Sequence, residues 1–373
     1  MMFILKIVSA LSLLVYLFYL IRGAIGFSNM PKFFSDPSHS CKTKACIIIC
    51  ARNEENTIEK CLHSIFEQDF DKGLLEIILV NDGSSDNTLL VAQKCFSNYK
   101  GNFQIINNPA SIGKKKSITS AIEACNSDLI ICRDADTYTE NKNWLRTIVS
   151  FNEQTGKQFI IAPLEIENKN GLLNQLQYFE NSALAIVTGG FAHYKKAFLC
   201  NGANLAFTKK IFEKVHGYES HMEINSGDDV LFLEDAKKAD PETVAYLKNK
   251  DASVITYPVK TFKKLLDQKV RWASKFDKNP NQTNAFLGII VCLVHVFSLF
   301  YLIKPIFAHH IPLISLIFLF LRVFIDFLLL FLASRYFNKP VKWLWFLPLS
   351  VFYSFYVIIT TILSVTVKPK QSV

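Results

Sequence analysis

Apolar and polar positions divide the chain into three stretches of different texture. From Phe3 to Ile21 it is apolar, interrupted only by Lys6 and a few Ser and Tyr residues. A run of that length suits a bilayer-spanning helix, which needs about 20 apolar residues. Three further runs, Ala285 to Ile303, Ile311 to Ala333 and Trp343 to Ser364, predict three more spanning helices near the C-terminal end. Between Ala45 and about Leu233 the texture changes to short apolar strands alternating with helical patterns. Strands are predicted at 45–50, 76–80, 103–106 and 129–132, and helices at 57–66, 88–96 and 113–125. Strands joined by crossover helices build a parallel α/β sheet. In such sheets ligands bind beyond the carboxyl ends of the strands.

The flanking charges predict how the spanning segments are oriented. The leader before the first run is only Met1-Met2, and the positive residues Arg22, Lys32, Lys42 and Lys44 follow it. That pattern reads as an uncleaved anchor with its far side in the cytosol. Arg335, Lys339 and Lys342 place the last inter-helix loop on the same side, while Lys368 and Lys370 in the tail point the other way. The expected organisation is an anchor over 1–24, a cytoplasmic α/β domain over 41–257, an amphipathic interface helix over 258–280 and three further spanning helices over 285–366. The whole is expected to be an integral protein of an inner or plasma membrane. Arg322 and Asp326 fall inside one spanning run at i,i+4, close enough to pair.

Composition narrows the partners. The 373 residues are 50% hydrophobic and carry a formal charge of +9. The basic residues are interleaved with hydrophobics near the spanning runs, which suits anionic membrane lipids and phosphates, and nucleic acid is not an expected partner. The nine cysteines form no CxxC pair, so they read as reduced core thiols rather than zinc ligands.

The polar clusters fall where a parallel sheet would put its site. Arg52-Asn53-Glu54-Glu55 follows the first strand, Asn81-Asp82-Gly83-Ser84-Ser85-Asp86 the second, and Asp134-Ala135-Asp136 the fourth. Alternate residues of an extended segment point the same way, so Asp134 and Asp136 can share a hard cation such as Mg²⁺ or Mn²⁺. Ser111-Ile112-Gly113-Lys114-Lys115-Lys116-Ser117 opens a helix, and lysines at a helix start attract phosphate. A plain solvated basic face is the equal alternative for Lys115 and Lys116. Asn201-Gly202-Ala203-Asn204 and Gly227-Asp228-Asp229 interrupt later apolar stretches. Thr261 to Asp277 is a basic amphipathic pattern, with Phe262, Leu265, Leu266, Val270, Ala273 and Phe276 at helical spacing.

Asp82, Asp134-x-Asp136, Asp228-Asp229 and Gln268-x-x-Arg271-Trp272 resemble, in order and approximate spacing, the motif set of membrane glycosyltransferases of family 2. That family includes the cellulose, chitin and hyaluronan synthases and the ceramide glucosyltransferases. The resemblance covers about Ala45 to Lys275. It implies a GT-A-type, mostly parallel, Rossmann-like sheet combined with transmembrane helices, and inverting transfer from a nucleotide-sugar, a UDP-sugar in particular. By the same resemblance Ala51, Arg52 and Glu54 line the nucleotide pocket, Asp82 holds the uracil and Lys114 lies near the phosphates. Asp134 and Asp136 hold the Mg²⁺ or Mn²⁺ and the diphosphate. Gln268, Arg271 and Trp272 close over the diphosphate and the acceptor. Many relatives carry Glu-Asp where this chain has Gly227-Asp228-Asp229. Asp228 or Asp229 can therefore be the base, with Asp229 favoured. Four spanning segments on a short chain suit a membrane lipid acceptor, with a growing, translocated glycan as the alternative. A nucleotidyltransferase would share the acidic site and release pyrophosphate instead. A transporter with a structural soluble part would bind no nucleotide.

Overall fold

The computed structural model describes residues 2–36, 39–222, 227–273, 282–308 and 310–367. The chain forms two compact units. One comprises Met30–Glu167 and Ala192–Tyr257, and the other Met1–Asn29, Asn168–Phe191 and Pro258–Val373. Helix α1 (Met2–Asn29) opens the chain and belongs to the second, helical unit.

The first unit is the sheet. Its first half runs β1 (Ala45–Ala51), α2 (Ile58–Phe66), β2 (Leu75–Asp82), α3 (Thr88–Phe96), β3 (Asn102–Asn108), α4 (Lys114–Ala124) and β4 (Leu129–Asp134). These are the alternating elements read from the sequence, each within a few residues of its expected ends. Less legible elements follow: β5 (Thr137–Tyr138), α5 (Trp144–Thr155), β6 (Phe159–Ile161), β7 (Leu164–Ile166), then α6 (Leu172–His193). After α6 come β8 (Asn204–Thr208), α7 (Lys209–Lys214), α8 (Asp228–Ala239), β9 (Val244–Tyr246) and β10 (Val254–Thr256). Seven strands form one sheet in the order β3-β2-β1-β4-β8-β6-β9, and β5-β10-β7 form a second, small sheet. β1 pairs in parallel with β2 and β4, and β2 with β3, while β8 runs antiparallel to β4 and β6.

Register places the site. Ala51 is opposite Asn81, Cys50 opposite Asp134 and Asp82 opposite Asn108, so the carboxyl ends of four neighbouring strands lie level. Because β8 is antiparallel, its first residue Asn204 sits beside Arg133 at the end of β4. The Asn201-Gly202 turn is thereby delivered to the same edge. Ile47, Ile49, Ile77, Leu79 and Ile131 are fully buried beneath this edge, packed with Leu62 of α2 and Trp144 of α5. Fully burying such side chains stabilises the fold by about 1.5–3 kcal/mol each. That burial is what keeps a charged edge rigid.

The helical unit contains α1, α6, α9 (Phe262–Ala273), α10 (Gln282–Ala308), α11 (Leu313–Phe337) and α12 (Phe346–Thr366). Four of its helices, over Phe3–Asn29, Thr283–Phe307, Leu313–Phe337 and Trp343–Thr366, are long and apolar enough to cross a membrane. Segment 168–191 lies between strands of the sheet in sequence, yet it packs with these helices. At one crossing Gly190 of α6 meets Gly23 of α1 so closely that a Cβ on Gly190 would fall 1.8 Å from the Gly23 carbonyl oxygen. Charge inside an apolar bundle is costly unless paired, and here it is paired. Arg322 Nε lies 3.3 Å from Asp326, which also accepts from Tyr16 Oη at 3.1 Å, and Arg322 Nη1 donates to the Ser350 carbonyl oxygen at 2.9 Å. The expected continuation of the amphipathic helix through Phe276 to Asp277, and the tail residues Lys368 and Lys370, lie outside the described residues.

Candidate active site

At the carboxyl end of β1, Ala51 is buried and Arg52 begins a loop stitched to the loop after β2. Asn53, at φ 57°, donates its N–H to Ser84 Oγ at 3.1 Å and accepts from the Ser85 N–H at 2.9 Å. Glu54 N–H donates to Thr88 Oγ1 at 2.7 Å, and the Glu55 carboxylate accepts from Asn87 N–H at 3.0 Å. Two strand ends are thus locked together by side chains that favour turns.

Asp82 ends β2, is only 6% exposed, and accepts from five donors. They are Ser111 Oγ at 2.7 Å, Ile112 N–H at 2.9 Å, Ser117 Oγ at 3.0 Å, Gly113 N–H at 3.1 Å and Asn108 Nδ2 at 3.1 Å. Burial alone pushes its carboxyl upward, but the hydrogen bonds outweigh it and hold the pKa below the usual carboxylate value. The direct partners of Asp82 are therefore Asn108 at the end of β3, the loop before α4 and the first turn of that helix. Gly113 supplies the φ of 91° that turns the chain into α4.

The next two residues carry the charge. Lys114 Nζ lies 2.5 Å from Asp134 Oδ1 at the end of β4. Lys115 is buried: its ammonium donates to the His221 carbonyl oxygen and lies 3.5 Å from Asp228 Oδ1. Lys115 is thus no solvated surface lysine, whereas Lys116 is exposed. A single segment, Ser111–Ser117, therefore touches all three acidic motifs: Asp82 through hydroxyls and amides, Asp134 through Lys114, Asp228 through Lys115.

Asp136 is two residues beyond Asp134 and only partly exposed, with Thr256 Oγ1 3.5 Å from Oδ2. Burial, then the negative charges of Asp134 and Glu54, push its carboxyl up to about 7. Burial likewise raises Glu54, partly offset by the Thr57 hydrogen bond, with Asp134 and Asp86 adding to the rise. Asp134 and Asp136 are hard carboxylates two residues apart whose charges repel, the donor chemistry that Mg²⁺ or Mn²⁺ takes. On these grounds Asp134 and Asp136 fit a divalent cation, with the negative charge of Glu54 nearby.

Asp228 and Asp229 open α8 after Gly227, whose φ of 83° makes the turn. Asp229 Oδ2 accepts from Gly202 N–H at 2.8 Å and Oδ1 from Val230 N–H at 2.9 Å. The Asn201-Gly202 turn noted in the sequence is thus what orients Asp229. Ala51, Arg52, Glu54, Asp82, Lys114, Asp134, Asp136, Asp228 and Asp229 all belong to the sheet unit. Gln268, Arg271 and Trp272 lie on α9 of the helical unit. Ser111, Ser117, Asn108 and Thr88 were not expected among the site residues. Their role depends on contacts across 26 to 35 residues of sequence, and small polar residues carry no signature of their own.

With this geometry in hand, the chain was compared with known proteins. Residues 46–216 match the model of Glycosyl transferase family 2. The match covers a little under half of the chain and takes in the strand ends that carry Ala51, Asp82 and Asp134. Poly-beta-1,6-N-acetyl-D-glucosamine synthases of Staphylococcus aureus (strain MSSA476) and Staphylococcus epidermidis are 28% and 25% identical to this chain over 137 residues. That stretch is 37% of this chain and 32% of each relative, so the chain spans about a third of the length of the curated relatives it matches. A mannosyltransferase from Pyrobaculum calidifontis, solved in complex with GDP-Man and Mn²⁺, is 15% identical with a TM-score of 0.56, over 97% of both chains. That likeness concerns the fold, and the mostly parallel sheet of this chain is of the GT-A type.

Proposed function

We propose that the chain is an inverting membrane glycosyltransferase that passes a sugar from a nucleotide-sugar, a UDP-sugar first among them, to an acceptor held at the membrane. The observation that carries this reading is the gathering of Asp82, Asp134 and Asp228 around the single Ser111–Ser117 segment. Carboxylates and lysines drawn from separate strand ends suit a diphosphate whose charge must be held while the sugar leaves. The cytoplasmic side, where the loop charges expect the sheet unit to lie, is where activated sugars are supplied.

Each residue then has a task. Ala51, Arg52 and Glu54 border the nucleotide. Asp82 belongs to the base pocket in the family pattern, and in this chain it also fixes the loop before α4. Lys114 provides a positive charge for the phosphates. Asp134 and Asp136 would hold a Mg²⁺ or Mn²⁺ ion, which when bound neutralises the leaving diphosphate. Asp229 is the base that accepts the proton of the acceptor hydroxyl. Two contacts support that choice: the Asp228 charge is answered by the buried Lys115, while Asp229 is oriented by Gly202 N–H. In-line attack by that hydroxyl on the anomeric carbon forms the new glycosidic bond and breaks the bond to phosphate, with inversion. Gln268, Arg271 and Trp272 complete the family's motif set, and their part in holding the diphosphate and the acceptor is proposed from the motif.

A membrane lipid is the favoured acceptor. Tyr16, Val294, Phe297, Tyr301, Phe318 and Ile325 fill the core between the spanning helices, which suits a single transfer at the surface. The names of the staphylococcal relatives favour a second reading, processive synthesis of a glycan. Supplying the purified protein with radiolabelled UDP-sugars, Mn²⁺ and membrane lipid, then sizing the product, separates the two. A glycolipid bearing one sugar supports the first, a long polymer the second. A wild-type protein that transfers no label from any nucleotide-sugar would overturn both.

A further inference from the structure

The α6 helix leaves the sheet between β7 and β8 to join the helical unit, and its polar residues face the motif helix α9. Gln177 accepts the Val259 N–H at 2.8 Å and donates Nε2 to the Val259 carbonyl oxygen at 3.1 Å, three residues before α9 begins. One turn later, Glu180 Oε2 lies 2.5 Å from Lys269 Nζ, and Oε1 accepts from Tyr353 Oη at 3.3 Å. Lys269 is the second residue of Gln268-Lys269-Val270-Arg271-Trp272, and its ammonium stands 4.5 Å from the centre of the Trp272 ring.

Apolar contacts of α9 set its depth: Leu265 packs in a cluster with Leu176, Tyr178, Phe179 and Tyr356, through a non-directional attraction. An ion pair with fixed partners on both sides adds a directional contact. Glu180 and Lys269 side chains are each 14% exposed, so this pair is less screened than a surface pair. Tyr353 in turn meets the His295 ring edge-on at 5.2 Å, and His295 Nδ1 pairs with Ser354 Oγ at 3.0 Å. Glu180 therefore stands where the polar network of the spanning helices ends and the motif helix begins.

We infer that Glu180 is a positioning residue: it holds Lys269, and through it the Trp272 ring, so that α9 presents the Gln268-Arg271-Trp272 motif in one rotation. This rests on the glycosyltransferase reading for its effect on turnover, and on geometry alone for its effect on Trp272. Glu180→Gln keeps the shape and an acceptor for Tyr353 but removes the charge that holds Lys269. In the full-length protein it should lower kcat by tenfold or more with the melting temperature little changed. Exchanging the pair, Glu180→Lys with Lys269→Glu, should restore turnover to within a few fold of wild type. Trp272 emission, isolated by difference from Trp272→Phe, should shift to longer wavelength in Glu180→Gln and return in the exchanged pair. If Glu180→Gln misfolds, Lys269→Met tests the same contact from the other side. Wild-type kcat together with unshifted Trp272 emission in Glu180→Gln would overturn the inference. Should the wild type turn over no nucleotide-sugar, the glycosyltransferase reading fails, and the emission alone still decides whether Glu180 sets the helix.

Discussion

Mn²⁺ affinity should fall as pH is lowered, and Asp136 should be the reason. Its carboxyl is pushed from 3.8 up to about 7 by burial and by the charges of Asp134 and Glu54. All three causes disfavour the anion, so the folded protein holds a proton there that the unfolded chain has lost. A metal ion must displace that proton, because carboxylate ligands bind deprotonated. The carboxylate is about nine-tenths ionised at pH 8, half at pH 7 and about one-tenth at pH 6, so the apparent Kd for Mn²⁺ should weaken roughly tenfold from pH 8 to pH 6, about 1.4 kcal/mol. Asp136→Asn should bind Mn²⁺ more weakly at pH 8 and lose that slope. Stability of the metal-free protein has the matching sign. It should fall as pH rises from about 4 to 7, by up to ~4 kcal/mol at 1.36 kcal/mol per pKa unit, and the difference from Asp136→Asn isolates this group. Calorimetric titration of Mn²⁺ without nucleotide, in two buffers at each pH, measures the first effect. An affinity constant across that range, or a slope that survives in Asp136→Asn, would refute the reasoning.

Other consequences follow from single contacts. Asp229→Asn should reduce turnover by ~10²–10⁴-fold, the range for a lost general base, with donor affinity by equilibrium dialysis unchanged; normal turnover would remove Asp229 from the mechanism. Asp82→Ala strands five donors at once. It should destabilise the sheet unit by about 3 kcal/mol or more in a thermal melt. Because its pKa is held low, the Asp82 contribution in wild type should be present at neutral pH and fade as pH drops below 3.8. Gly190→Val has no room beside the Gly23 carbonyl, so it should lower the melting temperature in detergent, by overpacking worth about 1–3 kcal/mol, and an unchanged melt would contradict the close crossing.

Much of the sheet edge was legible because its signal is local. An apolar run such as Ala45–Cys50 or Leu129–Cys132 followed at once by acids announces both the strand and its carboxyl end. The four helices long and apolar enough to cross a membrane were legible for the same reason, since length and hydropathy reside in one stretch. The α6 helix was not: Leu172–His193 has ordinary mixed polarity, and its departure from the sheet unit is decided by partners 80 or more residues away, such as Val259 and Lys269. The small sheet of β5, β10 and β7 escaped because two- and three-residue strands show no periodicity. Lys115 read equally as a phosphate-attracting lysine or a solvated one, and folding instead buries it against Asp228. Its carboxylate partner is more than 100 residues downstream, and no spacing rule reaches that far.

The most direct measurement follows the fate of the nucleotide. Wild-type protein in membrane lipid is given a nucleotide-sugar labelled in the diphosphate, with Mn²⁺, alongside the variant Asp134→Asn/Asp136→Asn. If separate carboxylates do work together on one diphosphate, wild type releases labelled nucleoside diphosphate in step with glycosylated product, and the double variant releases almost none. Release of pyrophosphate instead, or equal release by wild type and the double variant, would contradict the account.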